Sequence, residues 1–508
     1  MTPPDARPDE KSPPGKDTTE YGAAPVIPAG RWGRAADVFQ RAIRLGRVEV
    51  RGIQPIPVKE RTVERTINIF TLWWSMSTNI LAITFGLLAP MYNLNLRNSS
   101  LVILFITMLT TILPAYLCTL GPKIGMRQMV QARYSFGTHQ DKFSATLSQS
   151  PVLLNLATLI GFCIMMAVIG GQCLSAVAGG NLSVSVGIVI TAILTLGISF
   201  CGFSILHQFE RYAWISALIS IIVAVGCGGK ELQKQVVYDS SPTAPNVISY
   251  CMIVAGYMIP WACLSSDFTT YLKPDTSSVK IFTYSYLGLG VPTILLMILG
   301  SAIGNAIPNV PAWKAGYDET LVGGVLAAML SSAGGFGKFL VVLLSFSLLG
   351  NLAATSYSVT LNLQLLLPIL AKVPRYLFSL VFTALVIPLG IRAAADFFVN
   401  LENFVGLIGY WSSAFLAVVL VEHFVFRNRD CTAYDPEAWN DASLLPWGVA
   451  AISACVLSFG LIVPSMAQVW YTGPIAKTTG DLGFEFAFIV SGLLYVPFRW
   501  LEKKHIGR

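Results

Sequence analysis

Apolar residues in this chain gather into long blocks that begin near residue 67 and recur to residue 500, with short polar stretches between them. A hydrocarbon layer about 30 Å thick calls for roughly 20 apolar residues per spanning helix. Read with that window, the pattern gives segments near 67–91, 99–120, 151–178, 184–203, 212–228, 247–268, 281–305, 338–366, 375–395, 401–424, 445–466 and 482–500. The blocks predict an all-α polytopic membrane protein with twelve transmembrane helices.

Several blocks are interrupted. Span 1 carries Asn79, Thr84, Gly86 and Pro90, and span 6 carries Gly256, Pro260 and the polar run Ser265, Ser266, Asp267. Pro and Gly free backbone groups that lipid cannot satisfy, so a broken helix implies a buried or water-lined site. If spans 1–5 and 6–10 form two halves, these breaks open each half, the arrangement expected around a midplane site in transporters built from inverted repeats. Gly and Pro also ease ordinary helix packing in membranes, and two breaks alone do not separate the readings. Span 8 adds Ser345, Ser347, Gly350, Asn351, Thr355, Ser356 and Asn362, an expensive set of groups unless it faces protein or water. In span 3, Phe162 and Met166 are four residues apart and share a helix face, whereas Gly170 and Gly171 suit helix packing. Trp261 follows the Pro260 break, where a flat ligand would stack on it; the ordinary alternative is an interfacial anchor.

Composition supports the membrane assignment and narrows the function. The chain is 54% hydrophobic and 12% charged, with a mean hydropathy of +0.63, a balance no soluble core of this size needs. Of its 34 Lys and Arg, 27 fall in the tails and even-numbered loops and 7 on the opposite face, which predicts cytoplasmic termini on both ends. That bias explains the net charge of +7 and removes the case for a nucleic-acid partner. His139, His207, His423 and His505 are scattered and the nine cysteines form no C-x-x-C pair, so neither an enzyme, a cofactor nor a metal centre is expected. Residues 1–60 read as a cytosolic, largely disordered tail, 61–500 as the transmembrane domain and 501–508 as a short cytosolic tail. Segment 31–50, with Arg interleaved among apolar residues, reads either as a helix lying on the anionic inner leaflet or as a short helix preceding span 1.

Four stretches then carry a resemblance: ERTINIFTLWW entering span 1, GPKIGMRQMVQARYSFG at 121–137, HQFERYAW at 207–214 and PWACLSSDFTTYL at 260–272. Together they resemble the fungal purine-cytosine permeases of the nucleobase-cation symporter family, from about Glu60 to Trp500. The resemblance implies a five-plus-five inverted repeat of the leucine-transporter type plus two C-terminal helices, alternating access, the plasma membrane, and a small heterocyclic substrate carried with a cation between spans 1, 3, 6 and 8. It places Thr84, Phe162, Met166, Trp261 and Asn351 at the substrate, and Glu210 at an acidic position important in the family. Asp267 is the second candidate for proton coupling or gating, because a desolvated carboxylate takes up a proton more readily.

The departures matter as much. Phe162 and Met166 stand where the family has a Trp and a nucleobase-binding Asn, and Leu352 and Ala354 replace the second Asn and the Pro of its Asn-Asn-x-Pro pattern. Loss of a buried partner costs about 1–3 kcal/mol, so cytosine or hypoxanthine binding is expected to weaken roughly 10- to 200-fold. A vitamin-like or specialised-metabolite heterocycle, or a transport-deficient nutrient sensor, are the alternatives to a nucleobase carrier. Sodium-coupled relatives tend to set adjacent hydroxyls on span 8; here Phe346 separates Ser345 from Ser347, which favours a proton as the coupling ion.

Overall fold

Each of the twelve apolar stretches coincides with a helix or a helix pair in the computed structural model, which describes residues 52–138, 148–200, 203–239, 241–366, 370 and 375–507. The tail before residue 52, including segment 31–50, and the Glu210 side chain lie outside the described residues. The helices are α1 (Ile67–Ser77), α2 (Ile80–Gly86), α3 (Leu96–Cys118), α4 (Ser150–Ala178), α5 (Val184–Phe200), α6 (Phe203–Gly228) and α7 (Ala244–Met258). They continue with α8 (Ser278–Ala306), α9 (Pro311–Met329), α10 (Gly334–Leu366), α11 (Arg375–Ala394), α12 (Phe397–Val421), α13 (Val449–Ser465) and α14 (Gly483–Ile506).

Among the described residues, seven helical stretches are long and apolar enough to cross a membrane, and the bent α1/α2 pair, turning through 55°, makes an eighth. One of the seven, Leu377–Phe426, covers most of α11 and all of α12, while Val184–Ile198, Tyr212–Gly228 and Val449–Ser465 are shorter apolar helices. Both expected breaks are present. α1 ends at Thr78, Asn79 takes an extended conformation, and α2 resumes beyond it. α7 tightens into the 3-10 turn Ile259–Cys263 after Met258, and Leu264 leaves helical geometry altogether, at φ −138° and ψ 3°. The interruptions fall in the first and sixth apolar stretches, five apart.

Packing sorts the helices into two groups. α1, α2, α3, α7 and α8 lean on one another, and α4 joins α5, α10 and α11 in a second group. α12 bridges them, touching α7 and α4, and the α13/α14 pair packs along it. The core runs between the groups: Trp73, Phe85, Tyr257, Met166 and Leu348 are all buried there.

One helix was not expected. α9 has no continuous apolar run, since Lys314, Asp318 and Glu319 interrupt it, and it is kinked at Thr320 and at Leu321, whose φ is +50°. It is placed by tertiary contact: Gly323 lies so close to α4 that a Cβ there would stand 2.3 Å from the carbonyl carbon of Gln172.

Candidate functional site

The α1 break is held by one side chain. Asn79 accepts a hydrogen bond from the Leu81 N–H at 2.8 Å and donates from Nδ2 to the Met76 carbonyl at 2.6 Å, so it caps the start of α2 and the end of α1 together. Asn351 of α10 donates from Nδ2 to the same Met76 carbonyl at 3.0 Å, and its Oδ1 accepts from the Thr355 hydroxyl at 3.0 Å. The second helix group is thereby tied to the backbone that the break exposes.

Beside this junction lies a small cavity lined by Leu81, Thr158, Leu159, Phe162, Met166, Pro260, Trp261, Leu264, Asn351 and Thr355. Both breaks contribute to it, Leu81 from the first and Pro260, Trp261 and Leu264 from the second. Small-ligand pockets of this kind are mostly apolar. The Trp261 ring meets the edge of Trp73 at 5.6 Å, and Phe162 is met edge-on by Phe404 at 5.2 Å and Tyr257 at 6.4 Å. None of the lining residues is charged. A charged ligand would be buried there without a partner, at high cost, so the chamber suits a neutral, flat molecule.

Its polar groups are largely spent within the protein. The Thr158 hydroxyl donates to the Leu154 carbonyl at 2.9 Å and accepts from Trp411 Nε1 at 3.0 Å, and both ends of the Asn351 amide are engaged as described above.

Phe162, Met166, Trp261 and Asn351, expected from sequence, thus come together on one chamber. Thr84 does not line it: the residue is fully buried in α2 and its hydroxyl donates to the Ile80 carbonyl one turn back, at 2.9 Å. Asp267 is also elsewhere, in the turn Ser265–Phe268, where its carboxylate accepts from the Gln128 N–H at 2.7 Å and its carbonyl from Arg127 Nη1 at 3.1 Å. It borders a second, smaller cavity with Ile53, Arg127 and Asn362. Sequence reasoning did not select Thr158 or Thr355 for the site, although each stands four residues from a chosen one, Phe162 and Asn351, and so on the same helix face.

The end of the bundle where the described chain begins, at Gly52, and ends, after α14, carries a polar hub built on residues 119–137. Arg61, buried, donates to the carbonyls of Ile56 at 2.8 Å, Pro122 at 2.9 Å, Lys123 at 3.1 Å and Ile124 at 3.2 Å. Val63 bridges to Leu272 in parallel, and Glu64 pairs with Lys273 on the surface. Arg127 reaches Gly52, Asp267 and the Tyr357 hydroxyl, the last at 2.8 Å. On the other flank Arg133 donates to Trp439 and Asn440. Burial lowers the affinity of the Arg61 guanidinium for its proton and brings the Arg133 pKa down to about 10. The segment from Gly52 is therefore packed structure, not loose tail.

The comparisons with known proteins agree with this geometry. Residues 55–436 match the family described as permease for cytosine/purines, uracil, thiamine, allantoin. The chain is 32% identical to purine-cytosine permease FCY22 of Saccharomyces cerevisiae, over 92% of this chain and 89% of that one. It is 30% identical to purine-cytosine permease fcyB of Emericella nidulans, over 98% of each. Vitamin B6 transporter TPN1 of Saccharomyces cerevisiae is 27% identical over 97% of this chain and 93% of its own. Among solved structures, Mhp1, a nucleobase-cation-symport-1 family transporter in a closed conformation with bromovinylhydantoin bound, superposes with a TM-score of 0.64. That match is 16% identical and covers 89% of this chain and 95% of Mhp1. It shows a shared fold, also recognisable at a TM-score of 0.54 and 10% identity in a Na+-coupled sialic acid symporter, over 92% of this chain and 95% of that one. A chain so matched, with two broken helices around a neutral chamber, is a multi-pass membrane transporter that belongs to the family of permeases for cytosine/purines, uracil, thiamine and allantoin.

Proposed function

We propose that this permease imports a small, neutral aromatic nitrogen heterocycle by proton symport across the plasma membrane, with both termini in the cytoplasm and alternating access at the chamber between the helix breaks. The observation that carries the substrate class is the lining itself: Phe162, Met166 and Trp261 supply aromatic and thioether surface, and the Asn351 amide is already committed to Met76 and Thr355. Stacking on such rings contributes about 0.5–1.5 kcal/mol beyond area burial. Methionine adapts to irregular shapes and favours contact with ring edges, which suits an alkylated or less polar heterocycle than cytosine. A nucleobase is the first reading and a vitamin-like ring the second, the latter favoured by Met166 and by the similarity to a vitamin B6 transporter.

For the coupling ion, Ser345 and Ser347 are separated by Phe346 and donate to different carbonyls, Gly170 at 3.1 Å and Leu344 at 2.6 Å, so they do not form the adjacent hydroxyl pair expected of a sodium site, which favours a proton. With the Asp267 carboxylate bound by the Gln128 amide, we assign proton uptake to Glu210 and closure of the terminal end to Asp267. Of the 34 Lys and Arg, 27 fall in the tails and even-numbered loops of the sequence, which supports a cytoplasmic orientation for that side. The test is uptake of cytosine, adenine, hypoxanthine, allantoin and pyridoxine at several pH values in a host lacking nucleobase carriers. Accumulation of one of them that collapses with an uncoupler is the expected result; a flat response across the panel defeats the reading. Glu210→Gln is expected to lower pH-driven accumulation more than exchange, and equal pH dependence in the two proteins would remove Glu210 from the role.

A further inference from the structure

α13 and α14 lie beyond residue 436, where the family match ends, and contribute nothing to the lining of the chamber. They nevertheless grip α12 at both of its ends. At the end away from the termini, the connection between them crosses α12: the Val469 N–H donates to Asn403 Oδ1 at 3.2 Å, and Gln468 Nε2 donates to the Tyr410 hydroxyl at 2.6 Å. The Tyr410 hydroxyl in turn donates to Asp481. Asp481 is buried; its carboxylate also accepts from the N–H groups of Ala467 at 2.8 Å and Gly483 at 2.9 Å, and its own N–H donates to the Ser249 hydroxyl of α7 at 3.1 Å. Asn403, Gly406 and Tyr410 fall on one face of α12, and a Cβ on Gly406 would stand 2.0 Å from Gln468 Nε2. At the terminal end Glu422 accepts from Arg499 at 3.1 Å, Tyr495 at 2.9 Å and Arg427 at 3.1 Å.

The neighbouring face of α12, one residue on, packs behind the chamber wall formed by Phe162 and Thr158. Phe404 packs its ring against Phe162 and so near Gly161 that a Cβ there would stand 2.1 Å from it, and Trp411 donates to Thr158. A side-chain tip sits roughly 5–6 Å from a helix axis, so turning α12 by about 10° moves these groups by about 1 Å. We propose that Tyr410 is a positioning residue of the transport site: clamped by Gln468 and Asp481 of the connection between the C-terminal helices, it fixes the rotation of α12 and hence the fit of Phe404 and Trp411 behind the chamber-lining Phe162 and Thr158. The C-terminal pair is then a brace for substrate affinity, a role that rests on the transport reading above.

Tyr410→Phe removes one hydroxyl at nearly constant volume. In the purified full chain, amide hydrogen exchange over 397–411 is expected to accelerate, with 150–178 unchanged. In cells, with whichever panel heterocycle the wild type accumulates, KM rises about 2- to 10-fold, the factor corresponding to one net hydrogen bond. Vmax per surface molecule changes less than about twofold, because a net hydrogen bond lost from ligand fit acts on binding. Phe404→Ala raises KM by itself, and adding Tyr410→Phe to it raises KM no further, since both act through one wall. If Tyr410→Phe does not reach the surface, Gln468→Leu carries the same comparison. Unchanged exchange over 397–411, or effects of the two substitutions that multiply, overturns the proposal. Failure of the wild type to accumulate any probe tells against the transport reading only, and the exchange measurement still decides the brace.

Discussion

At Met166, a single side chain sets how much of a nucleobase's polar edge the chamber can satisfy. Met166 is buried beside Phe162 and Trp261 and offers no hydrogen-bonding group of any strength. Met166→Asn places an amide there, and nucleobase uptake should gain by up to the roughly 10- to 200-fold that one buried hydrogen-bond partner is worth. Competition between cytosine or hypoxanthine and pyridoxine reads this directly; a surface-expressed variant with unchanged preference would remove Met166 from ligand contact. Phe162 and Met166 were legible because a spacing of four puts two residues on one face. Thr84 and Asp267 were harder to read. A buried threonine in a helix can satisfy its hydroxyl on its own backbone, as Thr84 does with Ile80. An Asp at a helix break competes for backbone N–H groups as readily as for a substrate, and Asp267 takes that of Gln128. Sequence spacing records which face a residue occupies, but not which neighbour reaches it first.

The two broken helices were visible as elements because Pro260, Asn79 and the polar run 265–267 are rare in an apolar block. Helix α9 was not, because its position depends on Gly323 meeting α4 and not on any pattern of its own. Nor did the sequence indicate that Asn351 serves the other break. Its Nδ2 and that of Asn79 converge on the Met76 carbonyl, at 3.0 and 2.6 Å, and this joins α10 to α1. Asn351→Ala is expected to strand a buried hydroxyl at Thr355 as well as weaken the α1 break, at a cost of about 1–3 kcal/mol. Thermal unfolding in detergent should fall accordingly, with uptake reduced at least about tenfold. Thr355→Val, which removes that hydroxyl at nearly constant shape and leaves the Asn351–Met76 contact intact, separates the two contributions: stability near the wild type's identifies the α1 contact as the important one.

Over the whole molecule, the chamber and the terminal hub are in series, with Asn351 and Thr355 at one end of a stripe on α10 and Asn362 at the other, bordering the second cavity. Ser358 lies between them, fully buried. In the alternating-access cycle proposed above, release of a ligand toward this end would expose this stripe, and Ile53 of the segment 52–64 borders the second cavity together with Asn362. Arg61 holds that segment through four carbonyl acceptors, and hydrogen bonds from a charged donor contribute about 1.5–3 kcal/mol each where they are well made. Arg61→Ala should therefore shift the population toward the state open at this end by about tenfold or more, a factor that 1.4 kcal/mol already supplies. Ser358→Cys gives a nearly isosteric reporter. In inside-out vesicles, an impermeant thiol reagent should modify it faster in the Arg61→Ala background than with Arg61 intact, while affinity for ligand presented from the opposite face falls by a similar factor, since one equilibrium governs both. Equal labelling rates would mean that the segment is packed against the hub without controlling it. A rate that rises with no loss of opposite-face affinity would mean that the two ends open independently, which alternating access forbids.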